Sequence, residues 1–439
     1  MKLLQLAIIP ITLTAAAALS APEPPARTPE KPGVRKLTFA RDVATIIYNK
    51  CAVCHHAGEV APFPLMTYAD VSKRAKQIAL VTTSRLMPPW KADSHGEFEN
   101  ERRLTGEEIE TISQWADAGA PMGDPKDLPA TPRFRTGWKL GKPDLVVQMP
   151  AKYCLAAEGR DVYRCFVIRN PSNEDHWISG MEFHPGNHQV VHHILAYIDT
   201  HGRARKLAGK DPASSYTSSG GGPGFIPDGG IGGWAPGNDP ELLPDGIGML
   251  LPKKCDIVLE VHYHKSGKPE TDQSKAAIYY CKAPVDKSVH TVLALKFDLN
   301  IPPGEAKYIA TGASPITEPI TVMDVTPHMH LLGQEMTVTA KLPDGTEVPM
   351  VKVPKWDFNW QISYDFKQPL KLPAGTTINL AARFDNSADN PRNPSRPPKR
   401  VKWGEQTTDE MCIAFIDFTV DAEHLTKGIK GKKASIYEF

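Results

Sequence analysis

The chain has almost no net charge: 51 Lys and Arg stand against 50 Asp and Glu in 439 residues. A balance that even supplies no field for polyanions, so neither nucleic acid nor an anionic membrane surface is an expected partner. Long apolar runs are also scarce. After the first twenty residues none approaches the roughly 20 residues of a spanning helix, so no stable membrane insertion is expected. No cysteine follows Ala18-Leu19-Ser20 closely enough to carry a lipid anchor. Nor is the cysteine count even, since there are seven. At least one thiol is therefore left over if the others pair.

What is present begins with Lys2, an apolar run over residues 3–13 and a small-residue stretch ending at Ser20. This is the pattern of a cleavable secretory signal over residues 1–20, which predicts a periplasmic protein. Residues 21–36 are Pro-rich and read as an extended tether. From residue 37 the pattern turns helical. Phe39, Val43, Ile46 and Ile47 form one apolar stripe, and residues 104–118 form a second, opened by Thr105 with Glu108 three positions on and stopped by Gly119. Residues 125–143 read as a second, Pro-rich linker.

Beyond residue 144 the composition is that of short β-runs separated by Pro, Gly, Asn and Asp: 145–148, 165–168, 190–198, 257–263, 276–280 and 337–342. Turn signals at that spacing favour antiparallel sandwiches over a parallel α/β sheet. The length suffices for two, over residues 144–290 and 291–422, before a basic tail at 423–439. Residues 218–248 hold a dense run of Gly and Pro around Trp234, read as either a substrate-side loop or a surface insertion.

Cys51-Ala-Val-Cys54-His55 is the covalent haem-attachment pattern. Two thiols three positions apart can each add to a vinyl group, and the adjacent imidazole then reaches the iron. A zinc or thioredoxin-like site would need a second ligand pair or a βαβ context, and neither is there. One haem c is expected, with Met87 of Arg85-Leu86-Met87-Pro88-Pro89-Trp90 as the sixth ligand and Met66 as its competitor. Residues 37–124 resemble a class I-like cytochrome c domain, all-α in fold. If 257–264 and 276–280 form a hairpin, Cys255 and Cys281 are equidistant from its turn. Cys154 and Cys165 flank Glu158-Gly-Arg160 similarly. Two disulfides, Cys255–Cys281 and Cys154–Cys165, are expected on that ground.

Histidines gather at His192-His193, at His262-Tyr-His264 and at His328-Met-His330, followed by Asp409-Glu-Met411-Cys412. Imidazole suits copper in both oxidation states, and a thioether favours Cu(I). On a strand, residues two apart share a face, so His328 and His330 can chelate one ion.

In this order, and together with Asp161-Val-Tyr-Arg-Cys165, Trp234-Ala-Pro, 243–248, 258–263 and 380–383, these motifs resemble the type II copper, ascorbate-dependent monooxygenases. That is the family of peptidylglycine alpha-hydroxylating monooxygenase and dopamine beta-monooxygenase. The resemblance implies two jelly-roll-like sandwiches across a cleft and two coppers. His192, His193 and His262 would hold the electron-transfer copper, and His328, His330 and Met411 the one that binds dioxygen. His264 is an addition to the family pattern: sharing a strand face with His262, it could tune the three-histidine copper, take a proton or be a surface residue, and Glu260 is a further candidate behind that site. The partners implied are dioxygen, a small organic substrate and a periplasmic electron donor acting through the haem.

Where the peptide-processing member has an Arg, an Asn and a Tyr to grip a carboxylate, this chain has Thr326, Ile413 and Phe415, so a peptidylglycine substrate is not expected. The family's bridge partner for Cys412 falls at Phe384, which implies a free Cys412. The competing expectations are a non-catalytic haem and copper protein for electron transfer or copper handling, and a carbohydrate- or surface-binding sandwich with incidental histidines.

Overall fold

The computed structural model describes residues 35–59 and 61–431. The expected signal over residues 1–20, nearly all of the first Pro-rich segment and the last residues of the tail lie outside the described residues.

The molecule is built mainly of β-sandwich sheets. The first sandwich faces a five-stranded sheet against another. One has the order Ser215–Ser218, Val162–Arg169, Asp256–Tyr263, Val191–Asp199, Gly229–Trp234; the other runs Leu145–Gln148, Lys275–Tyr280, His176–His184, Ile247–Leu251, Lys287–Ser288. The second sandwich has a sheet His290–Leu295, Cys412–Val420, Ile320–Met329, Tyr364–Leu372 against Tyr308–Pro315, Thr377–Phe384, Gly333–Lys341, Glu347–Val353. Strand pairing is antiparallel except for Lys287–Ser288, which lies parallel to Ile247 and Gly248. Two residues later, His290 pairs with Phe418 in the second sandwich.

Strand Asp256–Tyr263 is buried along its whole length because both of its faces are covered. Ile257, Leu259, Val261 and Tyr263 point into the sandwich core, while Val258 belongs to a smaller cluster on the outer face with Cys165, Ala204 and Tyr216. By the period-2 alternation of a strand, Glu260 and His262 share that outer face. It is the face turned toward the second sandwich, as the contacts below show.

The expected all-α cytochrome c-like domain over residues 37–124 is not what the structure contains. Among the described residues helix is sparse, about 13%, in five short helices. Four fall in this segment, Ala44–Lys50, Tyr68–Ser72, Ala75–Thr83 and Gly106–Asp117, and share a small core around Phe39, Ile47, Ile112 and Trp115. The last of them is capped as its sequence predicts, with Thr105 Oγ1 accepting from the Glu108 backbone at 3.1 Å and Glu108 accepting from the Thr105 backbone at 2.7 Å.

Between the third and fourth helices the chain leaves this core altogether. Trp90, Ala92 and Phe98 are buried in the core of the second sandwich. Trp90 meets Tyr364 edge-on at 5.2 Å, and Phe98 lies 5.3 Å from both Tyr364 and Phe366. Such ring pairs contribute about 0.5–1.5 kcal/mol each beyond area burial. Backbone bonds from Asp93 to Lys352 and from Glu99 to Asp365, each 2.8 Å, complete the seam. Helical periodicity reads local amphipathicity and has no access to this long-range pairing, which is why the segment looked self-contained.

The two expected disulfides are absent: all seven cysteines are free. Strands Asp256–Tyr263 and Lys275–Tyr280 do not form a hairpin. They lie in opposing sheets, so Cys255 and Cys281 are carried apart. Cys154 is exposed on a strand paired with Glu270–Asp272, whereas Cys165 is buried at the centre of another sheet.

Candidate metal centres at the sandwich interface

His193 stands opposite His262 in the register of neighbouring strands, but Val191 stands opposite Tyr263. One extra residue is thus inserted at His192. Consecutive residues on a regular strand face opposite ways, and a β-bulge relieves that constraint by re-aiming a side chain. Here it lets both adjacent histidines reach His262. One ring nitrogen from each of the three lies within 4.8 Å of the others, with the Nδ1 atoms of His192 and His193 3.1 Å apart.

His262 donates its Nε2–H to Asp161 at 3.2 Å, which fixes the tautomer and leaves Nδ1 as a lone-pair nitrogen. That Nδ1 is buried with no hydrogen-bond partner. A buried acceptor without a partner is costly unless something fills it, and three converging imidazoles suit a copper ion in either oxidation state. Asp161 also accepts from His264 Nδ1 at 3.1 Å and from the Thr407 hydroxyl of the second sandwich. His264 is therefore tied to the cluster through Asp161 rather than by pointing into it. Tyr163 stacks on His262 at 4.2 Å, and its hydroxyl donates to the Glu405 carbonyl. Glu260 binds the Ser218 hydroxyl at 2.9 Å instead of a histidine.

The second group lies on the facing sheet. In the register of Ile320–Met329 with Cys412–Val420, Thr326 is opposite Phe415 and His328 opposite Ile413. Directly opposed residues of an antiparallel pair share a face, and alternate residues repeat it. Carried one step past the paired residues, the same alternation brings His330 and Met411 onto the face of His328. His328 donates Nδ1–H to Gln361 Oε1, and His330 donates its own to the Asp409 carbonyl at 3.2 Å. Both Nε2 atoms stay free. The fully buried Glu410 carboxylate accepts from the backbones of His330 (2.8 Å), Leu332 (2.6 Å) and Met411 (3.2 Å), clamping both ligand segments together. Burial pushes the Glu410 carboxyl up to about 8. Two imidazoles and a thioether form a softer donor set than the three-histidine cluster, and they fit a copper that must be held as Cu(I).

Burial, with mutual repulsion among the rings, holds His192 down to about 3, and burial holds His328 down to about 4. His193 and His330 lie well below the ordinary range for the same reasons. All four are neutral near pH 7, as ligation requires. The groups are close neighbours across the sandwich interface. Phe358 stacks on His192 at 4.6 Å and meets His330 edge-on at 5.9 Å. A cavity of about 430 Å³ opens beside the three-histidine cluster, lined by Asp161, Tyr163, Ser218, Glu405 and Asp409 among others. A further trio, Asp199, His201 and Asp228, lies nearer the surface, and its carboxylates are already engaged by Arg203.

At the other motif, the His55 backbone N–H closes onto Cys51 O at 3.0 Å, so the two thiols and the imidazole share one turn. His55 donates Nδ1–H to the Phe63 carbonyl at 3.0 Å, leaving Nε2 available. Two unbridged thiols and an oriented imidazole fit a covalent haem. Met66 follows Leu65, whose N–H donates to His55 O at 2.8 Å, and Met87 follows the helix Ala75–Thr83, with its N–H on Val81 O at 3.0 Å. Burial, above all, raises the Cys51 thiol to about 12.

Sequence reasoning named the histidines and Met411 but missed the groups that orient them: Asp161, Tyr163, Phe358, Gln361 and Glu410. Asp161, Tyr163 and Glu410 lie inside quoted motifs and were within reach of a sequence reading; Phe358 and Gln361 were not.

Among solved structures, similarity is reported to the major capsid protein P2 of bacteriophage PM2, at 10% identity over 63% of this chain and 97% of that one, with a TM-score of 0.25. The VP2 subviral particle of infectious bursal disease virus matches at 8% identity over 64% and 78%, with a TM-score of 0.18. Scores that low carry no argument. No curated protein matches the chain. Residues 288–428, which carry His328, His330 and Met411, match the family model of the copper type II ascorbate-dependent monooxygenase, C-terminal domain, and so support a copper monooxygenase-like domain in this part of the chain.

Proposed function

We propose that the protein is a copper-dependent monooxygenase that places one oxygen atom of dioxygen into a C–H bond of a small organic substrate. In this reading His192, His193 and His262 hold one copper and His328, His330 and Met411 hold the other, with a haem on Cys51, Cys54 and His55 and Met87 as its sixth ligand. Bound copper supplies the one-electron chemistry that activates dioxygen, and bound haem supplies a one-electron relay.

The chain's own residues do the rest. Asp161 fixes the His262 tautomer, Glu410 holds the His330 and Met411 backbones in one frame, and Gln361 orients His328. Phe358 fills the space between the two groups and keeps water from it. The face beside His328 offers Thr326, Ile413 and Phe415, with the Thr326 hydroxyl already donating to Ser363 Oγ at 2.9 Å. None of Thr326, Ile413 and Phe415 is a cation, which favours a substrate without a terminal carboxylate. Its donor of electrons is a soluble one-electron carrier, and both are read as periplasmic, a reading that the signal-like first twenty residues support.

The observation that carries the reading is the meeting of two imidazole groups, one from each sandwich, on either side of Phe358, whose ring touches His192 of the first and His330 of the second. The test is incubation of the copper-loaded protein with candidate metabolites under ¹⁸O₂. One labelled oxygen in the product is expected. Full copper occupancy with no label in any product, while the haem still exchanges electrons with copper, would leave an electron-transfer protein instead.

A further inference from the structure

We propose that the loop of residues 235–241 is the bridge by which electrons pass from the haem-attachment turn to the His328 centre, with Asn238 making the contact that crosses between the sandwiches. This rests on the haem and copper assignments above.

The loop is held by two cations, one of which ties it to the segment that follows the attachment turn. Arg102, nearly buried, donates to the Gly237 carbonyl at 2.6 Å and to Asp239 at 3.2 Å. Lys139 joins Asp239 at 3.1 Å to Glu59 at 3.0 Å, four residues past His55. Lys139 and Asp239 line one cavity with Val53 and His56 of the attachment segment, and Lys50, next to Cys51, donates to the Glu101 carbonyl beside Arg102 at 2.7 Å.

On its far side the same loop meets the second sandwich. Asn238 Oδ1 accepts from the Ser363 N–H at 3.3 Å. Gly237 has φ +97°, and a Cβ there would stand 3.0 Å from the Trp360 ring, so the backbone lies directly against that indole. Ser363 is two residues from Gln361, whose side-chain oxygen accepts from His328. It is also bonded to Thr326, two residues before His328.

From Arg102 to His328 the path therefore consists of covalent and hydrogen bonds throughout. The hydrogen bonds that fasten the three-histidine cluster run instead through Asp161 to His264 and Thr407 and do not touch the loop. The step is a one-electron exchange: the haem iron is oxidised from Fe(II) to Fe(III), a copper is reduced from Cu(II) to Cu(I), and no bond forms or breaks. A soluble one-electron carrier protein re-reduces the iron.

The test uses the full chain with haem attached and copper bound. The haem is photoreduced by a ruthenium sensitiser, and its reoxidation is followed by absorbance, with haem spectrum, haem potential and copper content recorded for each variant. Asn238→Ala should slow reoxidation by about ten- to a hundredfold, the scale on which lost supporting partners act, while Asn238→Asp, which retains the acceptor oxygen, should stay within about twofold. Arg102→Gln, which releases the loop at its other end, should slow the same step and serves if Asn238→Ala does not fold. Wild-type rates in both Asn238→Ala and Arg102→Gln, or equal slowing in Asn238→Ala and Asn238→Asp, overturn the bridge alone. Purified protein lacking covalent haem or copper overturns the underlying reading and the bridge with it.

Discussion

Replacing Asp161 by Ala is expected to loosen the three-histidine cluster first. The carboxylate takes the Nε2–H of His262 at 3.2 Å, the Nδ1–H of His264 at 3.1 Å and the Thr407 hydroxyl. His262 is only 2% exposed, and its other nitrogen already lacks a partner. In the variant both ring nitrogens are buried and unsatisfied, at a cost of about 1–3 kcal/mol for the newly orphaned group. His264 is 61% exposed along its side chain, so its share is at most about 1 kcal/mol. With the Thr407 link lost as well, the metal-free protein should lose about 2–4 kcal/mol of stability, read from urea unfolding. Copper at this cluster should bind about ten- to a hundredfold more weakly, because the imidazole is no longer held in one tautomer. Titration against a competing chelator measures that directly, with the sulfur-containing centre unaffected. A chelator curve identical to that of the wild type would refute the role given to Asp161.

Met411→Ala should remove copper–sulfur scattering from the X-ray absorption of the reduced protein, abolish hydroxylation, and leave the three-histidine cluster loaded. Since Met411 is 5% exposed, a stability loss of about 2–5 kcal/mol should accompany it. Met87→Ala should abolish the thioether-to-iron band and lower the haem potential; loss of that band in Met66→Ala instead would assign the ligand to Met66. Asp365 is pushed up to about 6, by burial first and then by the Asp417 and Glu99 charges. Its folded pKa lies above the unfolded value, so stability falls as pH rises from about 4 through 6. Asp365→Asn should therefore gain about 1–3 kcal/mol over the wild type at pH 8 and nothing below pH 4. Urea unfolding at the two pH values checks the sign.

The sequence by itself determined what is local. The β-runs near 145, 165, 191, 257, 276 and 337 all fall on strands, because alternation and turn residues encode strand geometry within a few positions. The Thr105 and Glu108 capping pair was legible for the same reason, its partners being three residues apart. The shared turn of Cys51 and His55 and the neighbouring rings of His328 and His330 were legible as spacings.

What needed the tertiary structure is everything set by contacts distant in sequence. The bulge that turns His192 and His193 to one side depends on the pairing with residues seventy positions later. The cysteine pairs fail because two apparent hairpin strands belong to opposing sheets. The segment around Trp90 and Phe98 gives up its helical neighbours for the core of the second sandwich, where large rings bury more apolar surface than a short helical bundle leaves room for. Phe358 neighbours both groups only because the two sandwiches meet, whereas Asp161, Gln361 and Glu410 are brought to their partners by pairing and packing within one sandwich. Their positions depend on register and packing, and neither is written in any single stretch of the chain.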